Sequence, residues 1–512
     1  MRRLVRLALA AVLLLAGCAA GEPGEDPGAG IWEDYQPPAL AEEAEEPSGP
    51  EYPAAFSLAC HRGQTLDPID CGQGMQEDVS SLLFEPLFQL DESFQPIPLL
   101  CESYEWDETG LVCTLTLRQE AAFHDGSPLT AADVAATLRR AMVSERYAYR
   151  LRGVAAVAAD RSGQVRITLT APNRGLPALL DIPVVKSGTE ALTAPVGTGP
   201  YRLSEDGGSL IANESWWQGR AMPVSVIPLV HAKDRDTAKY LFSSKRVQLL
   251  TVDPTDDLSS VTGQLQSTAR PTPILQFIGF NTGEGSLFAS PALRAAFSQG
   301  IPRDTLVSAQ QAGLALAASF PVSPLSPLYP ADLVREYDRD ETLATLRAAG
   351  QDTGQTRELV LLVNEEDRFR LTSAQFIAEH LSLLDWHITV RQLPWEDYLA
   401  ALAAGEFDLY YGEVRLTADW DLRDLTGTGG ALNYGGYTAS YTDLLLENFL
   451  TADNRPAAAR QLLAHLQDAC PIAPICFKND AVLTHPGVAG NLTPTASSTF
   501  YRMDRWTVRL SE

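Results

Sequence analysis

The groups able to do chemistry in this 512-residue chain include seven histidines, seven cysteines and 65 acids, and their spacing argues against catalysis. His61, His124, His231, His380, His387, His465 and His485 are scattered and never form the HExxH spacing of a helical zinc site. The serine acyl-transfer signatures G-x-S-x-G and S-x-x-K are absent. Gly197-Thr198-Gly199-Pro200 is glycine-rich, but it lacks the Gly-Lys-Ser/Thr ending that holds phosphate, so a turn is expected there. A glycosidase pair cannot be inferred from carboxylates alone, because 65 acids make chance pairing unavoidable. Neither a catalytic residue nor a cofactor is expected.

The chain does offer a cluster suited to non-covalent binding. Residues 410–421 read Tyr-Tyr-Gly-Glu-Val-Arg-Leu-Thr-Ala-Asp-Trp-Asp. Arg415 can take a ligand carboxylate through both guanidinium nitrogens, with an internal pair to Glu413 as the competing role. Tyr411 and Trp420 can form a rigid aromatic wall or fill a core. A strand ending near Tyr411 places this stretch at a carboxyl end, where ligands of open α/β sheets bind. A second apolar strand, 274–278, leads into Phe280 and Asn281. Asn281 can hydrogen-bond a ligand backbone or stabilise its own turn. Asn433 and Tyr434 lie in the Gly-rich segment 427–436, a candidate cleft loop.

The elements that must position these residues read as mixed α/β. Residues 111–117 alternate polar and apolar as a half-buried strand does, and 100–106 is a second strand across the turn Asp107-Glu108-Thr109-Gly110. Thr130, with Asp133 three residues on, caps a helix through Met142. Strand 165–169 and helix 335–350 follow. Then strand 358–363, helix 371–384, strand 387–392, helix 395–404 closed by Gly405, and strand 407–411 form a β-α-β-α-β run, which predicts a parallel sheet flanked by helices. No internal repeat is present.

Composition sets the outer limits. Hydrophobic residues make up 45% and charged residues 20%, an ordinary globular balance. Length predicts several domains or one large body of two lobes. The net charge of −26 excludes phosphate-backbone binding through general electrostatics and adhesion of a basic face to anionic lipid. Arg2, Arg3 and Arg6 precede a short apolar run, Leu7 to Leu15, ending in Leu15-Ala16-Gly17-Cys18. Small residues before a cleavage site mark a secretory signal, and the Cys at once after it resembles the bacterial lipobox. Residues 1–17 are expected to be removed and Cys18 acylated. Residues 19–53 hold seven prolines, ten acids and no Lys or Arg, so 18–53 is expected to be a solvated tether.

The other cysteines are Cys60, Cys71, Cys101, Cys113, Cys470 and Cys476. An even number in an exported chain favours disulfides. The expected pairs are the sequence-local ones, Cys60–Cys71, Cys101–Cys113 and Cys470–Cys476, with free buried thiols as the alternative. No couple has a C-x2-C or C-x4-C spacing, so zinc is not expected.

Longer motifs carry a family resemblance. FHDGSPLTAADVAATLRRAM (123–142) resembles the signature of the family 5 extracellular solute-binding proteins, the peptide, dipeptide and nickel receptors of ABC importers. LFEPLFQLD (83–91) before it, and PVGTGPYRL (195–203), NESWWQGRAMP (213–223), IGFNT (278–282), SPALRAAFSQGIPRDTLV (290–307), GEFDLYYGE (405–413) and NYGGYTASYTDLLLEN (433–448) after it, match in the family's order. The resemblance implies a two-lobed periplasmic-binding-protein-like fold, type II and cluster C-like, with mixed sheets flanked by helices and two hinge crossings. Lobe one is placed at 54–272 plus 482–512, and lobe two at 273–481. Ligand is trapped by hinge closure.

By position, the resemblance assigns Asp419 first and Asp421 second to a peptide's α-ammonium, since a buried ammonium left without a carboxylate is costly. The family often has Gly-Trp and Asp-Pro where this chain has Gly412-Glu413 and Asp421-Leu422. The resemblance implies a monomeric, lipid-anchored, cell-surface or periplasmic receptor that delivers an oligopeptide or dipeptide to ABC permease subunits. No nucleic acid and no structural metal is implied. A sensing receptor of the same fold, a non-peptide ligand such as an oligosaccharide or metal chelate, and an exported hydrolase are the alternatives.

Overall fold

Two long strands, Gln266–Phe280 and Ile472–Thr484, pair antiparallel along most of their lengths. The computed structural model describes residues 52–310 and 314–511. The leader, Cys18 and all but the last two residues of the expected tether lie outside the described residues. Both long strands are rich in β-branched and aromatic residues, and most of the second is buried, as strands covered on both faces are. Their register shifts between Pro271 and Leu275. Pro271 and Pro273 have no N–H to give the ladder, and a proline inside a strand is found at such irregularities.

On one side of the shift, residues 266–271 face 479–484, and Leu249–Val252 continues the sheet. On the other side, residues 275–279 face 472–477, and Leu409–Arg415 pairs with 274–280. Arg357–Asn364 pairs parallel with both Leu409–Arg415 and Trp386–Leu393. Helices Arg368–Leu381 and Trp395–Ala404 are the crossovers. The parallel arrangement expected from the alternating run is therefore present. Gly405 ends the second helix in the left-handed region, φ 71°, where a residue without Cβ is unstrained.

Two four-stranded sheets make up most of the β structure of the N-terminal half, beside the short pair Phe88–Leu90 and Pro96–Pro98. One runs Leu58–Cys60, Val226–His231, Ser209–Ala212, Tyr201–Leu203. The other runs Cys101–Trp106, Val112–Leu117, Val165–Leu169, Val154–Ala159. Helix Ala131–Ala141 lays Val134 and Leu138 into a core with Leu115 and Ile167. Thr130 and Asp133 form a reciprocal capping box at its start. Gly197 and Gly199 lie so close to the backbone of Leu82 and Leu83 that a Cβ would collide, so the GTGP stretch is a packed turn.

Three expectations are corrected. Helices begin where a side chain caps them, at Asp338 and Asp367, rather than at residues 335 and 371. The strand through Tyr411 continues to Arg415. All six described cysteines are free and buried. Cys101 lies opposite Leu117 and Cys113 opposite Trp106, an offset of about 13 Å along the strand, beyond the roughly 7 Å that a disulfide spans between Cα atoms. Cys470 caps a helix, while Cys476 lies well inside the following strand, and the two thiols meet different partners, the Arg294 carbonyl and Gln276. Cys60 meets Gln76, and Cys71 meets Arg146. Burial pushes the Cys476 thiol up to about 12, leaving it inert.

Candidate functional site

A cavity of about 330 Å³ opens where the two long strands change register. Pro271 to Ile274, Arg415 and Asp480 line one side; Ser80, Arg146, Arg150, Asp181 and Ser497 line the other. The volume lies in the range of small-ligand sites. Strand geometry puts Arg415 there: it is the last residue of its strand and sits opposite Ile274. The carboxyl end of the strand is thus at Arg415, four residues beyond Tyr411.

Charges in the lining are matched in pairs. Arg146 meets Glu77, Arg150 meets Asp181, and Arg235 meets Asp256 at 3.6 Å. Arg270 meets Asp480 at 3.5 Å. Lys478, with only 6% of its side chain exposed, holds Asp253 at 3.0 Å and Glu413 at 3.6 Å. Burial opposes the charge on Asp253, but Lys478 and Thr255 outweigh it and its pKa falls below the ordinary value. Burial raises the Asp480 pKa against the pull of Arg270. Arg415 has no hydrogen bond or ion pair among the described residues and is exposed at the wall. Its surroundings are desolvated enough to lower its pKa, with Asp480 acting in the opposite sense.

The other sequence-derived candidates lie elsewhere. Asp419 is 2% exposed. Its Oδ2 accepts from Asn173 Nδ2 at 2.8 Å, its Oδ1 from Thr417 Oγ1 at 2.6 Å, and its carbonyl from Arg455 Nη2 at 2.6 Å. Asp421 is held by Arg423 and by Arg152 at 3.1 Å. Burial opposes its charge, yet these partners hold its pKa down. Both acids belong to a seam joining segment 149–178 to 417–455, which also contains Tyr149 donating to Asp424 and Arg174 pairing with Asp453.

Trp420 is a core residue, edge-on to Phe94 and Phe477, not a ligand wall. Tyr411 is fully buried and donates to Gln276. Phe280 packs among Phe288 and Phe297. It pairs with Leu409 at the opposite end of the strand from Arg415, about 20 Å away. Asn281 stabilises its own turn through the Phe407 carbonyl and the Gly283 N–H. Asn433 ties its loop to Gly427 and Tyr437, and Tyr434 packs edge-on against Tyr410. Of the expected ligand contacts, the cavity lining includes Arg415 alone. Arg146, Arg150, Arg270 and Asp480 were missed. A signal was present for Lys478 and Asp480, two charges inside an otherwise apolar run.

A second cavity, about 520 Å³, shares Ser81, Asp181, Pro183 and Ser497 with the first. On its wall Glu85 accepts from Trp216, Trp217 and Gln218 side chains at 3.2, 2.6 and 2.8 Å. No cation is among its hydrogen-bonding partners, and burial pushes its pKa up to about 7 against those donors. Among the described residues there is no group of three or more potential metal ligands and no helix long and apolar enough to cross a membrane.

Residues 95–426 match the family model of bacterial extracellular solute-binding proteins, family 5, middle region. The chain belongs to that family. The glutathione-binding protein GsiB of Salmonella typhi is 27% identical over 308 residues, 57% of this chain and 60% of GsiB. HbpA2 of Haemophilus parasuis superposes with a TM-score of 0.74 at 19% identity, covering 90% of this chain and 99% of that one. The oligopeptide-binding protein AppA of Bacillus subtilis, solved with a nonapeptide, gives 0.58 at 19% identity, covering 90% of this chain and 100% of AppA. The fold is the two-domain fold of these substrate-binding proteins, and the relatives bind solutes.

Proposed function

We propose that this protein is a lipid-anchored receptor outside the cytoplasm that captures a peptide-sized solute in the cavity and hands it to an ABC importer. Acylated Cys18 holds it to the membrane and residues 19–53 are its tether. The lobes are 54–272 plus 482–512 and 273–481, with the two long strands as crossings and the register shift at Pro271–Leu275 as the hinge. The observation that carries this reading is the cavity itself. Both strand crossings line it, and it holds an unpaired guanidinium, Arg415, placed to meet a ligand carboxylate. AppA, a structural neighbour, was solved with a nonapeptide, which supports a peptide class.

The test is a thermal-shift screen of the full chain in detergent with di- to hexapeptides, oligosaccharides and metal chelates. A peptide present at 100 times its Kd adds about 2.7 kcal/mol of stability. Shifts with sugars or chelates and none with peptides would overturn the substrate class.

A further inference from the structure

We propose that the cavity recognises its ligand by an anionic end and uses no ammonium anchor, so that peptides with a blocked amine bind as well as free ones. This rests on the solute-binding reading above and names the ligand class of the same site.

The first support is the fate of the acids assigned to an ammonium. Both Asp419 oxygens are occupied, by Thr417 and Asn173, and Arg455 takes its carbonyl. Asp419 does not line the cavity. Gly175 presses against it so closely that a Cβ there would stand 2.6 Å from the Asp419 Cβ. Asp421 is spent on two guanidinium groups, Arg423 and Arg152. Freeing either acid means opening the seam, which would strip buried polar groups of their partners.

The second support is the sign of the cavity. Each lining carboxylate already has a basic partner. Arg415 is the lining cation without one among the described residues. The walls carry six basic side chains against five acids, in a chain of net charge −26. A local positive surplus inside an acidic molecule selects for an anion, and a guanidinium binds a carboxylate through two parallel, charge-assisted bonds. An entering ammonium would instead have to displace a cation already in place. Asp256 and Asp480 are the acids most open to that exchange, with Arg235 3.6 Å and Arg270 3.5 Å away. Arg270 is held independently by the Thr495 and Ala496 carbonyls, so it stays beside Asp480 and repels a second cation.

The experiment compares trialanine, N-acetyl-trialanine and trialanine amide by calorimetry with the full chain in detergent at neutral pH. Acetylation is expected to change Kd by less than about threefold, and amidation to weaken binding by at least about tenfold, the loss of one charge-assisted pair. Arg415→Gln, at an exposed and unpaired position, is expected to bring the acid and amide to within about twofold of each other. Strong loss on acetylation with tolerance of the amide overturns the inference and leaves the peptide reading standing. Failure of all three to bind a cooperatively melting protein overturns the peptide reading and the inference together.

Discussion

Glu85 shows how a single side chain can set a pH response from inside a wall. Three neutral N–H groups satisfy its carboxylate, and no cation joins them. Burial raises its pKa from 4.5 to about 7, so the folded protein holds this proton more tightly than the unfolded chain does. The contribution to stability is then fully present below about pH 4.5 and is lost as pH rises through about 7, roughly 3 kcal/mol in all. Glu85→Gln cannot ionise. Urea unfolding at pH 5, 6, 7 and 8 should show the native protein losing stability relative to Glu85→Gln across this range. Parallel curves would mean that the carboxylate is not desolvated as described. Residue type alone was a poor guide at this scale. Tyr411 and Trp420 have the chemistry of a ligand wall, but the strand runs on to Arg415 and Trp420 turns into the core with φ 57°. Asp419 finds Asn173 across 246 positions of chain, a pairing that no local spacing encodes.

Elements were more legible than site residues, because they depend on near neighbours. The alternation of 112–117 and the Thr130–Asp133 box were readable, and so was the parallel run closed by Gly405. The strand end at Arg415 was not. Gly412 breaks the apolar pattern, yet it is required there: a Cβ would stand 2.4 Å from the Phe277 ring, a tertiary demand that overrides propensity. Gly175 makes a similar demand on the seam. Its φ is −82°, so any side chain suits the backbone, and the objection is steric alone. A Cβ would meet Asp419 Cβ at 2.6 Å, Asn173 Oδ1 at 3.0 Å and Arg455 Nη1 at 3.1 Å. Gly175→Ala should therefore cost about 1–3 kcal/mol in urea unfolding. A neutral or stabilising result would show that the seam yields freely.

At the scale of the molecule, closure of the proposed lobes would make the seam and the cavity act on one equilibrium. If the long strands bend at Pro271–Leu275, the seam between 149–178 and 417–455 weights closure before ligand arrives. Arg152 is its electrostatic centre. It reaches Asp424 and, at 3.1 Å, Asp421, and its guanidinium lies 4.4 Å from the Tyr149 ring centroid. The side chain is 37% exposed, so solvent screens each pair and the network is worth about 1 kcal/mol. Removing it leaves Asp421 with Arg423 and Asp424 with Tyr149, so the fold survives. A ligand that needs the closed form then binds more weakly in proportion to the closed fraction lost. Arg152→Ala should raise the Kd for trialanine by about two- to fivefold. It should also enlarge the ligand-free radius of gyration in small-angle scattering, with native dimensions restored at saturating ligand. An unchanged radius with an unchanged Kd would place closure outside this seam. A raised Kd with no change in radius would assign Arg152 to the ligand instead.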